Sequence, residues 1–148
     1  KLVAWVVFLL NITKAGDFAC CYAANLVVVD IPEGVERIGL AAFCACRSLT
    51  TVSFPTTLIS IGVCAFLNCS SLDNVDLLHT NLQKLGEAAF WACRALKSMT
   101  IPDSLQTLGN YAFRGCSKLV PSSIDISSHN NIDVTSDVVA YLRSQQQS

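Results

Sequence analysis

With 148 residues and 52% apolar content, the chain is long enough to bury a sizeable core as a single domain. Charged residues make up 14%, roughly half of what is usual, so little charge is left to coat the surface. Ten Lys or Arg stand against eleven Asp or Glu, and the aromatics are not interleaved with arginines. This excludes the basic field that a nucleic-acid partner would need.

The amino-terminal run Leu2 to Leu10 is apolar behind Lys1, but it is too short to span a bilayer. No small-residue cleavage site follows it. It also obeys a period. Stepping back 23 residues from Leu26, Val29, Ile31, Val35, Gly39, Ala42 and Leu49 lands on Val3, Val6, Phe8, Ile12, Gly16, Ala19 and Leu26. Residues 3–25 are therefore expected to form a degenerate first repeat, and a membrane-seated segment at residues 2–10 is the less favoured reading. The chain does not start with Met, which reads as a processed form or a part of a longer protein.

Four clear units follow over residues 26–118: Leu26 to Ser48, Leu49 to Ser71, Leu72 to Ala95 and Leu96 to Lys118. Gly39 to Cys46 returns at Gly62 to Cys69, Gly86 to Cys93 and Gly109 to Cys116. A period of this length means a solenoid, because one unit cannot bury its apolar face alone. Within a unit such as Leu49 to Pro55, the alternation Val52-Ser53-Phe54 reads as a short strand. Pro55 ends it, having no N–H to donate. Stacked coils would set these strands in parallel, roughly 4.8 Å apart, on the concave side. From Gly62 to Cys69 the alternation stops, and Ala65-Phe66-x-x-Cys69 predicts a short helical turn on the convex side.

Past Lys118 the pattern fades, and residues 119–148 are expected to cap the stack. Thr135-Ser136-Asp137 offers N-capping oxygens before Val138, Val139, Tyr141 and Leu142, which predicts a C-terminal capping helix. Residues 1–148 thus read as one α/β domain of solenoid type.

Written in register, the units resemble the BspA-like class of leucine-rich repeats, whose unit looks like Leu-x-x-Ile-x-Ile-Pro … Ile-Gly-x-x-Ala-Phe-x-x-Cys-x-x-Leu. The likeness covers Leu26 to Leu119 well and Val3 to Asn25 loosely. The departures are the degenerate first unit and Leu77-Leu78-His79-Thr80, where the third unit lacks the proline and carries an extra residue. The resemblance implies a leucine-rich repeat fold and mostly binding modules, among them surface and secreted bacterial proteins. It supplies no catalytic residues.

Phe43, Phe66, Phe90 and Phe113 share one repeat position and should form an inward aromatic ladder. Cys46, Cys69, Cys93 and Cys116 share another and should form a buried, reduced ladder of small apolar side chains. Cys44-Ala45-Cys46 and Cys20-Cys21 lack zinc-site spacing, and neither His79 nor His129 lies near them in sequence. A nucleophilic cysteine needs a base in reach and an electropositive niche. A cysteine-dependent enzyme is therefore a distant third reading and would rest on Cys21 or Cys44. Asp30 and Asp76 read as solvated charges two rungs apart. No metal, cofactor or small-molecule substrate is expected.

The favoured reading is a non-catalytic protein-binding or scaffold module, or an accessory subunit of a larger assembly. A secreted or cell-surface adhesion protein is the alternative. The sequons at Asn11 and Asn68 do not decide between them, since one or two arise by chance in a Ser- and Thr-rich chain. Exposed apolar positions cluster in two places. One is the first end of the strand face, with Trp5, Val7, Val27 and Val28 beside Asp30. The other is the convex column Cys44, Leu67 and Trp91, which ends in Arg114. The first is the expected docking surface and the second its rival. For Trp5 the competing reading is a cap on the open first rung.

Overall fold

The computed structural model of the chain describes residues 13–120. Trp5 and Val7, the apolar run at 2–10 and the expected capping helix lie outside these residues. The described residues form a parallel β-solenoid of nine short strands, and none of them is helical. In chain order these are β1 (Lys14–Ala15), β2 (Val28–Asp30), β3 (Arg37–Ile38), β4 (Thr51–Ser53), β5 (Ser60–Ile61), β6 (Asn74–Asp76), β7 (Lys84–Leu85), β8 (Ser98–Thr100) and β9 (Thr107–Leu108).

The expected strand follows from the alternation: in β4, Val52 is buried while Thr51 and Ser53 are exposed. Val28 to Asp30 pairs in parallel with Thr51 to Ser53, and Asn74 to Asp76 with Ser98 to Thr100. Between β4 and β6, however, the ladder is interrupted, so this face is two two-stranded pieces and not one run. The interruption coincides with Phe54, which stands in a column otherwise filled by Ile31, Leu77 and Ile101 and packs edge-on against Phe66 at 5.8 Å. The continuous ladder is on another face. There β1, β3, β5, β7 and β9 form a five-stranded parallel sheet. Its inward members Ala15, Ile38, Ile61, Leu85 and Leu108 are all buried.

Each two-residue strand ends on a glycine of the next column, and close approach explains why. A Cβ on Gly62 would stand 2.6 Å from the carbonyl carbon of Gly39 in the coil before it, with backbone on every side. Only glycine lets the coils come this near.

The segment from that glycine to the cysteine is not the helical turn expected from Ala65-Phe66-x-x-Cys69. It is a chain of tight turns. Ala41 and Ala45 sit at φ 49 and 56, and the same left-handed pair recurs at Cys64 and Asn68 and at Ala88 and Ala92. The N–H groups of Ala42, Cys44 and Cys46 donate three residues back in their own coil. Those of Ala41, Phe43 and Ala45 donate to Val63, Ala65 and Leu67 of the next coil. Every second amide is thus satisfied between coils, an arrangement a helix cannot offer because its amides point along its own axis. The neighbour coil supplies what a helical turn would otherwise supply itself.

The core runs up the middle as columns. Phe43 and Phe66 stack with ring centroids 5.2 Å apart and planes 8° from parallel. Phe66 and Phe90 repeat this at 5.2 Å and 3°, and Phe90 and Phe113 at 6.3 Å and 17°. Beside them Cys46, Cys69, Cys93 and Cys116 are buried and free. Their thiols have a further role. Cys69 Sγ donates to the Phe43 carbonyl at 3.1 Å, Cys93 to Phe66 at 3.2 Å and Cys116 to Phe90 at 3.1 Å, each reaching one coil back. Cys46 reaches the Cys20 carbonyl at 3.0 Å in the same way. A side chain that is apolar in bulk yet carries a weak donor suits a site bounded on one side by carbonyls.

The extra residue of the third unit closes its own loop. Thr80 is buried, donates its hydroxyl to the Leu77 carbonyl at 2.8 Å and accepts the Leu82 N–H at 3.3 Å. Its N–H also donates to the Leu77 carbonyl at 3.0 Å, as the N–H groups of Val35, Leu58 and Leu105 donate to the carbonyls of Pro32, Pro55 and Pro102 in the other units.

Candidate interaction surface

The strand face is polar and tied to itself. Ser98 Oγ donates to Asn74 Oδ1 at 2.6 Å, and Thr100 Oγ1 donates to Asp76. Those contacts, led by Thr100 and then by the Leu78 amide, hold the Asp76 carboxyl below its ordinary range. Asp76 therefore fixes the loop after β6 and is not merely a solvated charge. Asp30, opposite Ser53, is exposed. Val27 and Val28 are half-buried, and Val28 stands opposite Thr51 in the parallel pair.

Most of the exposed large apolar side chains are on the turn face; Leu78, just after β6, and Val120 are exposed off it. Phe18 is 57% exposed, Tyr22 74%, Leu40 and Val63 42% each, and Trp91 38%. All five lie between the glycine of a coil and its cysteine position, which in the first coil is held by Ala23. Leu40 and Val63 occupy one column in adjacent coils, and Cys21, Cys44, Leu67, Trp91 and Arg114 occupy another. Leu67 is half-buried within that second column. Of the two clusters the sequence singles out, the described part of the first holds half-buried Val27 and Val28 beside exposed Asp30, and the second holds half-buried Cys44 and Leu67 beside exposed Trp91.

One member of this face does not stand out in the sequence. Tyr111 fills a column occupied by Ala41, Cys64 and Ala88, and its ring lies 6.1 Å from that of Trp91. Arg114 sits over both, 5.6 Å from the Trp91 ring centroid and 5.3 Å from that of Tyr111. The signal available was a bulky residue in a column of small ones. Phe18 is the other such member, at the opposite end of the same column.

The turn face also holds the half-buried thiols Cys20, Cys21, Cys44 and Cys64. Burial, then contact with Cys21, pushes the Cys44 thiol up to about 11. Burial raises Cys20 and Cys64 as well, and drives Cys46 in the core to about 12. Thiols shifted in this direction are poor nucleophiles at neutral pH. Among the described residues no three His, Cys, Asp or Glu side chains are grouped to hold a metal ion.

The family model of the BspA type leucine-rich repeat region matches residues 13–137 in six copies. The chain belongs to that family. No curated protein matches it. Among solved structures it is similar to the T. pallidum leucine-rich repeat protein, with 31% identity and a TM-score of 0.71 over 74% of this chain and 50% of that one. It is also similar to a leucine-rich cell surface protein from Faecalibacterium prausnitzii A2-165, with 26% identity and a TM-score of 0.73 over 81% of this chain and 32% of that one. The pneumococcal vaccine antigen PcpA shares the fold, at 23% identity and a TM-score of 0.63 over 74% of this chain and 29% of that one. The chain spans half or less of each of these relatives.

Proposed function

We propose that this chain is a non-catalytic protein-binding module, a scaffold element or accessory subunit of a larger assembly, that docks its partner on the turn face. The observation that carries the reading is the concentration of exposed apolar side chains there, at Leu40, Val63 and Trp91, while the strand face is polar and internally hydrogen-bonded. Clustered apolar surface of this kind marks interaction sites in soluble proteins. Val27, Val28 and Asp30 on the strand face, with Trp5 and Val7 beyond the described residues, form the rival surface. Leu67, beside Trp91, belongs to the turn-face site.

An adhesion role is the second reading, and it is favoured by one comparison: the relative from F. prausnitzii is described as a cell surface protein. The two readings share the docking chemistry and differ in where the partner is met.

Partner capture by the full chain tests the surface. Leu40→Asp and Val63→Asp place charges on exposed positions, so capture should fall at least tenfold while the melting temperature barely moves. Val28→Asp should leave capture intact. Capture lost in Val28→Asp and kept in Leu40→Asp would move the site to the strand face.

A further inference from the structure

We infer that Cys21 and Cys44 form a binding site for a soft monovalent cation, cuprous copper being the biological ion of that class. The two residues hold one column of the turn face in adjacent coils. Backbone bonds fix this register: the Cys20 N–H donates to the Ala42 carbonyl and the Tyr22 N–H to the Cys44 carbonyl, each at 2.7 Å. Side chains of this column meet across the gap between coils. At the far end of the stack Arg114 lies over the ring of Trp91, its column neighbour, at 5.6 Å, and the Cys44 thiol likewise meets that of Cys21. Both thiols are half-buried and free.

The spacing decides what can join them. The two coils are held one parallel strand apart by β1 and β3. Equivalent Cβ atoms then stand roughly 4.8 Å from each other, outside the range of about 3.5–4.5 Å that a disulfide requires. An ion between the sulfurs bridges that gap without moving the backbone. Burial also pushes the Cys44 thiol up to about 11, which slows its attack on an oxidant but leaves it able to give its proton up to a metal.

The ligand set is soft and small. Phe18, Tyr22, Ala41, Ala45 and Leu67 flank the pair in its own and the adjoining columns, so no carboxylate or imidazole joins it from there. Cys64 acts on Cys44 at longer range, and Cys20 stands in the column of Phe43, packed against the core. Among the described residues no third ligand completes a group. Zinc calls for a tetrahedral set and calcium for a cage of oxygens, whereas two thiolates in line suit cuprous copper, which sulfur ligands select. On binding, each S–H proton passes to solvent and each sulfur lends an electron pair to the ion, whose oxidation state does not change.

The test titrates the reduced full chain with Cu(I) under argon against bicinchoninate, a chromogenic competitor. The chain should withdraw one equivalent of copper, and X-ray absorption at the copper edge should show two sulfur neighbours. Cys21→Ser and Cys44→Ser should each lower affinity at least tenfold, while Cys20→Ser and Cys64→Ser leave it unchanged. Copper should raise the melting temperature of the wild type and not that of Cys44→Ser, and matching copper-free melts separate a lost ligand from a lost fold. Equal affinity in Cys44→Ser, equal loss in Cys64→Ser, a third sulfur at the metal, or tighter binding of zinc than of copper would each overturn the inference. So would a Cys21–Cys44 disulfide, read by peptide mass spectrometry, in the copper-free chain treated with hydrogen peroxide, because it would place the two Cβ atoms within bonding reach. The site does not rest on the protein-binding reading, and no partner enters the assay, so its outcome is independent of the Leu40 and Val63 capture experiment.

Discussion

Replacing Phe66 with alanine should be the most damaging single truncation in the aromatic ladder. Phe66 is fully buried and touches three other rings: Phe43 and Phe90 face to face at 5.2 Å, and Phe54 edge-on at 5.8 Å. Truncating a buried phenylalanine costs about 3–5 kcal/mol, and each lost aromatic contact adds on the order of 1 kcal/mol. Phe66→Ala thus belongs at the upper end, about 5 kcal/mol. Phe113 is the control. It has one ring neighbour among the described residues, at the longer spacing of 6.3 Å, so Phe113→Ala should cost about 2 kcal/mol less by the same reasoning. A solenoid couples each coil to its neighbours alone, so the central loss should also split cooperativity. Chemical denaturation should show a broadened transition in Phe66→Ala and a single sharp one in Phe113→Ala. A loss below about 1 kcal/mol for Phe66→Ala, or an equal loss in both variants, would refute the stacked-ladder account.

Gly62→Ala should destabilise by about 3 kcal/mol, since the new methyl meets backbone that cannot yield; a melting temperature equal to the wild type would contradict the close coil approach. Alkylation of the native protein, read by peptide mass spectrometry, should modify Cys20, Cys21, Cys44 and Cys64 before Cys46, Cys69, Cys93 and Cys116; equal rates at Cys69 and Cys44 would count against the buried thiol ladder. Stability should fall on the alkaline side. The unfolded Cys46 thiol ionises near its ordinary value of 9.0, whereas the folded one resists until about 12. The unfolded state therefore binds fewer protons in that window, and stability present below pH 9 drains away as pH rises through it. Cys46→Ala should make this slope shallower in denaturation measured from pH 8 to 11, the rest of it coming from the other raised thiols, Cys44 among them.

The architecture was legible because the same residue types recur at one period, so columns such as Phe43 to Phe113 and Cys46 to Cys116 can be aligned without coordinates. The turn segments were not, and the reason is physical. Apolar groups at i, i+1 and i+4, as in Ala65, Phe66 and Cys69, fit a helical turn in an isolated segment. In the stack, alternate amides bond to the next coil, and residues at Cys64 and Asn68 go left-handed to let them. The five-stranded ladder was equally hidden, because two-residue strands such as Ser60–Ile61 are too short to show alternation. On the surface, the column holding Leu67, Trp91 and Arg114 could be read directly. Its pairing with Tyr111 required the neighbouring column, where a tyrosine replaces small residues, to be compared across coils.

Hydroxyl-radical footprinting of the chain alone and in complex with its captured partner tests the central claim most directly, because it reads side-chain cover on both faces at once. The account predicts protection of Leu40, Val63, Leu67 and Trp91, with Val28 and the Met99 core unchanged. Protection confined to the strand face around Val27 and Val28, with Leu40, Val63 and Trp91 as reactive as in the free chain, would contradict it.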